Sequence, residues 1–275
     1  GLGDVYKRQP LGRMWTHEWL VEECREALLR FCELRLTQRV EGGPVQSAGM
    51  ISRQADPSLE AASRVPRVLA LSHGDGDPRR SEIVAVFLDE RGRLLERATF
   101  DTLRPPRATD EGVAHDPRAA FMDLLRRRRP DVVVVNGFSP RTAELKEEVR
   151  ELVAAAWEAR VRDEELDGLA REQVRMDVVS VYDDVARLYQ HSARAASEFP
   201  ELPVLARYCV GLARYAQSPV NEFAALDADM VAVQFDPAQR LLPADRLRTH
   251  LERAIVLLVN DIGVDTHAAL TDTYV

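Results

Sequence analysis

The sequence predicts an α/β protein: a mixed five-stranded sheet with flanking helices, an N-terminal helical arm before it and further helices after it. Three observations predict this class. Short β-rich runs cluster between residues 66 and 181, segments with helical apolar spacing separate the later ones, and only helical periodicity remains beyond them. The 275 residues are 45% hydrophobic and 30% charged, enough apolar material for one large domain or a domain with appendages, which excludes a low-complexity or wholly disordered chain.

The elements follow in order. Asp4-Val5-Tyr6-Lys7-Arg8-Gln9 is the peptide encoded by a widely used transposase sequencing adapter, so residues 1–13 are expected to be adapter-derived or disordered and are left out of the fold. From Trp15 to about Val40, apolar residues at helical spacing (Trp15, Trp19, Ala27, Phe31, Leu34) predict a helical arm over 14–41. Gly42, Gly43, Pro44, Gly49 and Pro57, with several serines and neither period, predict a linker over 42–65. Arg67 to Ser72 is a short apolar run and predicts a buried strand. Ile83 to Leu88 and Arg93 to Phe100 predict a hairpin around Asp89-Glu90-Arg91-Gly92. Phe121, Leu124 and Leu125 share one face of a helix over 117–129 that closes with four arginines. Val132-Val133-Val134-Val135 suits a parallel strand covered on both faces. A helix opening at Ser139-Pro140 and running to about Arg160, then a strand from Met176 to Val181, complete a domain over 66–200. In the helical region 201–275, Leu205, Tyr208, Cys209, Leu212, Tyr215 and Ala216 form one stripe. Leu247, Leu251, Ile255, Leu258 and Ile262 form another, opened by Pro243 and stopped by Gly263.

Acids outnumber bases by 45 to 37, and the net charge of −8 supplies no global field for nucleic acid or an anionic membrane. Any nucleic-acid contact must come from a local patch. Lysine occurs only at Lys7 and Lys146, an arginine bias that reads as GC-rich coding. Cys24, Cys32 and Cys209 form no CxxC pair and lack a nearby histidine partner, so neither a disulfide framework nor a zinc site is indicated and a reducing compartment is expected. No apolar run reaches the ~18 residues of a membrane span and no leader opens the chain, so a soluble, intracellular protein without a membrane partner is expected.

The β-β-β-α-β-α order is that of the ribonuclease H-like fold. Past residue 180, Ala195-Ala196-Ser197-Glu198-Phe199-Pro200, Gly211-Leu212-Ala213-Arg214, Gln217-Ser218-Pro219 with Glu222-Phe223, and Asn260-Asp261-Ile262-Gly263-Val264-Asp265 resemble, in order and spacing, the Tex-like core. They look most similar to the suppressor-of-Ty six family of eukaryotic transcription elongation factors and histone chaperones. The resemblance covers about residues 14–275, and collinearity carries it, not any single motif. It implies a YqgF or ribonuclease H-like domain from residue 66 to about 190, then helices leading into a helix-hairpin-helix module truncated at Val275. It further implies an internal fragment of a larger, nuclear, non-enzymatic protein that needs no cofactor. The partners it implies are the RNA polymerase II elongation complex, histones or nucleosomes through parts of the parent absent here, and nucleic acid as a further candidate.

A nuclease of this fold holds two divalent ions ~3.5–4 Å apart on carboxylates from separate strands. Here the first-strand position is Ser72 and the end of the fourth strand is Asn136, both neutral; only Asp183 and Asp184, after the fifth strand, are acidic. The catalytic set is therefore expected to be degenerate, with no metal. The alternatives are an active resolvase or ribonuclease using Asp75 or Asp77 with Asp183 or Asp184, and a bacterial Tex-type RNA-binding factor. Arg126, Arg127, Arg128 and Arg129 are the candidate nucleic-acid contacts. Arginines ending a helix also answer its dipole, at about 0.3–1 kcal/mol each. His73-Gly74-Asp75-Gly76-Asp77 alternates ligand-like residues, lacks the closing glutamate of an EF-hand loop and reads as a solvated turn. His191, His250 and His267 have ordinary surface or capping roles. Gly263-Val264-Asp265 would begin a phosphate-gripping hairpin whose second half is missing.

Overall fold

The structure is a computed structural model and describes residues 2–59, 63–75, 82–105 and 116–262. Along the chain run α1 (Leu2–Val40), α2 (Ala48–Ala55), β1 (Val68–Ser72), β2 (Ile83–Leu88), β3 (Leu94–Phe100), α3 (Pro117–Arg128), β4 (Val132–Val135), α4 (Thr142–Asp163), α5 (Gly168–Gln173), β5 (Asp177–Val179), α6 (Asp184–Tyr189), α7 (Ala193–Glu198), α8 (Val204–Gln217), α9 (Pro219–Ala224), 3₁₀ turns at Asp227–Ala232 and Pro237–Leu241, and α10 (Ala244–Ile262). They form two compact units, one holding Gly42–Leu226 and the other the first 41 residues with the stretch from Asp227. No helix among the described residues is long and apolar enough to cross a membrane.

The larger unit is built on a sheet of order β3-β2-β1-β4-β5. The first three strands meander antiparallel, whereas β1–β4 and β4–β5 are parallel. The mixed α/β sheet expected from the sequence is present. Every residue of β1, β2 and β4 is buried, and period two sorts them onto two faces. Val68, Ala70, Val132 and Val134 point into a core with α6, α7 and α8, while Leu69, Leu71, Val133 and Val135 point into a second core with α3 and α4. The β2–β3 turn closes as its residues predict: the Asp89 carboxylate accepts from the backbone N–H of Arg91 and Arg93 at 3.0 and 2.9 Å, and Gly92 takes the positive φ of 73°. Asp116 caps α3 by accepting from the Arg118 N–H at 2.9 Å, and Pro117 follows at the first helical position.

The structure corrects three boundaries. The expected linker holds α2, capped by Ser47 and contributing Met50 to the core. This helix shows no period because it is two turns long and meets α5 through Gly49. A β-carbon there would collide with the backbone carbonyl of Arg175 and lie 2.9 Å from that of Gln173. The region expected over 201–275 divides: α8 packs directly on β1 and β2, buried along almost its whole length, and belongs with α9 to the sheet domain, whereas the stretch from Asp227 with α10 belongs to the smaller unit. Finally, the backbone is helical from Leu2 and not only from the arm expected at 14, as propagation of a nucleated helix adds one hydrogen bond per residue.

In the smaller unit α1 packs on α10 and on the 3₁₀ turn at Pro237–Leu241, and α10 packs on the one at Asp227–Ala232. The α10 stripe is buried at Leu247, Leu251, Ile255 and Leu258. The stripe read for α1 is displaced, because Leu29, Cys32, Leu36 and Val40 are buried whereas Trp15 and Trp19 are 65% and 60% exposed. Large side chains dominated the sequence pattern, but the packed line consists of smaller ones at i, i+3, i+7 and i+11. Arg246 pairs with Glu22 and Glu26, and His250 Nδ1 lies 2.7 Å from Glu33 Oε1. Burial pushes the Cys32 thiol up to about 11, with Asp236 adding to it, so this thiol is not poised as a nucleophile. Gly263-Val264-Asp265 and His267 lie outside the described residues.

Candidate functional site

Open α/β sheets place ligands beyond the C-terminal ends of their parallel strands, here β1, β4 and β5. The four residues expected to mark a degenerate nuclease lie at these ends, and hydrogen bonds commit three of them to the fold. Ser72 is fully buried, and its hydroxyl accepts from the Gly74 N–H at 3.1 Å to shape the turn after β1. Asn136 extends the β4–β5 pairing with its side chain: Nδ2 donates to the Val181 carbonyl at 2.8 Å and Oδ1 accepts from the Val181 N–H at 3.1 Å. Asp183 accepts from the Tyr208 hydroxyl and from Arg187 Nε, each at 2.8 Å, tying the start of α6 to α8. Asp184 is the first residue of α6.

An aspartate at 136 could not donate to the Val181 carbonyl while ionised. We expect Asn136→Asp, which places an acid there, to destabilise the protein by about 1 kcal/mol at neutral pH, in line with the loss of one hydrogen bond at a half-buried carbonyl. The loss should shrink as the pH falls below about 4 and the new carboxyl regains a proton to donate. Thermal melts of both proteins at pH 7 and pH 4 check this.

The arginines ending α3 are mostly engaged. Arg127 pairs with Asp123 and Glu96, Arg128 with Glu96, and Arg129 with Glu164. Arg126 is exposed and makes no ion pair among the described residues. No three histidine, cysteine, aspartate or glutamate side chains converge as a metal site among the described residues. Asp75 is exposed in the turn after β1, and Asp77 lies outside the described residues.

A family model described as YqgF, Holliday-junction resolvase-like of SPT6, matches residues 62–227. The chain belongs to this SPT6-type YqgF family. It is 54% identical to the transcription elongation factor SPT6 of Mycosarcoma maydis, over 96% of this chain and 16% of that protein. It is 39% identical to spt-6 of Neurospora crassa over 90% and 16%, and 33% identical to spt6 of Schizosaccharomyces pombe over 99% and 18%. The chain thus spans about a sixth of the length of the curated relatives it matches.

Within the YqgF domain, several site residues escaped the sequence reading. His73 is buried, not solvated as its Gly- and Asp-rich loop suggested, because the Phe138 N–H donates to the Gly74 carbonyl at 3.1 Å and draws the loop after β1 against the one after β4. Burial lowers the His73 pKa, with Arg141 and Arg104 adding to the effect and Glu144 opposing it. Lys146 Nζ donates to Ser180 Oγ at 2.9 Å, and burial followed by the Arg150 charge lowers its pKa. Tyr208 lay inside an apolar stripe, and nothing in its spacing announced a hydroxyl partner. The Phe138 ring lies 4.9 Å from that of Tyr208, tilted by 52°, and under the Arg187 guanidinium at 4.8 Å, so it touches both partners of Asp183.

Proposed function

We propose that the chain is a non-catalytic core piece of a nuclear transcription elongation factor, in which the YqgF domain braces an assembly that travels with RNA polymerase II on chromatin. Histone contacts belong to other parts of the parent. The observation that carries the non-catalytic reading is Asn136: at the position where a nuclease needs a carboxylate, both polar atoms of an amide are spent on joining β4 to β5. Ser72 at the end of β1 supports it, since a neutral hydroxyl engaged with the Gly74 N–H cannot bridge two metal ions. The names of the relatives, all transcription elongation factors, support the elongation role. Nucleic-acid contact at the end of α3 would draw chiefly on Arg126, since its three neighbours already face carboxylates.

The test is incubation of the chain with Mg²⁺ or Mn²⁺ and with branched, hybrid and single-stranded substrates. No cleavage above a metal-free control is expected. Metal-dependent cleavage that Asp183→Asn abolishes would replace the scaffold with an enzyme.

A further inference from the structure

β3 closes one side of the five-stranded sheet with β2 as its strand partner, so the backbone groups along its outer edge pair with no strand among the described residues. Among those residues, the one hydrogen bond that reaches this backbone from outside the sheet runs from Arg128 Nη2 to the Leu95 carbonyl, at 3.3 Å. At seven residues β3 is the longest of the five strands. Every second residue from Arg91 to Thr99 is exposed, whereas Gly92, Leu94, Glu96 and Ala98 between them are half-buried. Arg97 and Thr99 stand opposite Val86 and Val84 on the face that α8 covers, but α8 packs over β1 and β2 and leaves both to solvent. The exposed row of Arg91, Arg93, Leu95, Arg97 and Thr99 therefore carries three arginines and no acid. Arg93 pairs with the buried Asp89, while Arg91 and Arg97 make no ion pair among the described residues. Glu96 projects to the other face, where Arg127 and Arg128 hold it.

We propose that the outer edge of β3 is a docking site for an extended acidic peptide segment of a partner protein, which joins the sheet as one further strand. The peptide backbone pairs with the open edge, acids at alternate positions face Arg91, Arg93 and Arg97, and an apolar residue in the same row covers Leu95. Two residues of extended chain span about 6.6–6.8 Å, so an acid at every other position matches the repeat of the arginines. A second copy of this strand would set arginine against arginine, which opposes pairing. No aromatic side chain stands on the row to stack a nucleic-acid base. The edge lies on the opposite side of the sheet from β5, and the proposal does not rest on the absence of nuclease activity.

The test is fluorescence anisotropy of a labelled peptide, of the seven-residue length of β3 and alternating glutamate with valine, titrated with the chain. ¹H–¹⁵N NMR of the chain locates the contact. We expect saturable binding that weakens with added salt, with shifts and slowed hydrogen exchange centred on the amides of β3. Arg91→Glu combined with Arg97→Glu alters two exposed sites with no ion pair to lose, so the melting temperature should hold. Binding by that variant should weaken about tenfold, since each reversal turns an opposite-charge pair into a like-charge one. The same peptide with proline at its centre should not bind, because proline cannot donate to the ladder. Equal binding of the proline peptide, of a peptide with lysine for glutamate, or by the reversed variant would overturn the proposal, as would unmoved β3 amides. Tighter binding of an oligothymidylate at β3 would overturn it in favour of nucleic acid.

Discussion

Replacing Arg214 by alanine is expected to lower the stability of the YqgF domain by about 3–5 kcal/mol, because removing one member of a buried ion network strands the others. The Arg214 side chain is only 4% exposed, and its Nη1 donates to Glu198 at 2.6 Å and to the Tyr189 hydroxyl at 3.3 Å. Glu198 also receives Arg194 Nε and the Tyr189 hydroxyl, each at 2.9 Å, and Arg194 reaches on to the fully buried Glu222. The network thereby ties α6, α7, α8 and α9 together. For a unit of this size the loss corresponds to a fall in Tm of about 10 °C. Glu198→Ala should cost a similar amount, and the double variant less than the two together, because they break the same contact. Chemical denaturation of the three proteins checks this, and a loss below about 1 kcal/mol for Arg214→Ala would show that water replaces the lost charge.

Asp131→Ala should cost about 2–4 kcal/mol through the loss of charge-assisted hydrogen bonds to a buried carboxylate. Asp131 is 7% exposed and accepts from the Arg67 N–H at 2.9 Å, from the Arg67 guanidinium at 3.2 Å and from Arg53 of α2. It therefore fastens both α2 and the chain entering β1 to the start of β4. Its arginine partners remain partly exposed and can rehydrate, so the expected loss is smaller than at Arg214. Burial alone would raise the Asp131 pKa, but the hydrogen bonds and charges of Arg67, followed by Arg53, outweigh it and hold the pKa below the usual carboxylate value. A depressed folded pKa means that the contribution is fully present above the unfolded value of about 4 and is lost as the pH falls through the folded one. Stability of the native chain should therefore fall more steeply below pH 4 than that of Asp131→Asn. Parallel slopes in urea melts between pH 5 and pH 2 would refute the assignment.

Legibility differed from element to element. Val132 to Val135 could be placed on a parallel strand because only a strand covered on both faces tolerates four consecutive β-branched residues, and every one of them is buried. The hairpin at Asp89 to Gly92 was equally readable, since its turn chemistry is local. Helix α2 was not, because its packing depends on the absence of a side chain at Gly49. In α1 the large apolar residues misled, as Trp15 and Trp19 face outward.

At the sheet end, the sequence alone determined that the residues at 72 and 136 carry no charge, because side-chain chemistry is independent of the fold. It equally determined strand order along the chain and the α8 and α10 stripes, which follow from periods of 2 and 3.6. Only the tertiary structure decided what those neutral residues do, that Asn136 lengthens β4–β5 pairing, that Asp183 is held by Tyr208 and Arg187, and that His73 is buried beside Thr142. Except for Asp183 and Arg187, which are four apart, these residues stand 25 to about 70 positions apart. Directional hydrogen bonds between distant segments exist only once both segments are placed, and no local pattern encodes them.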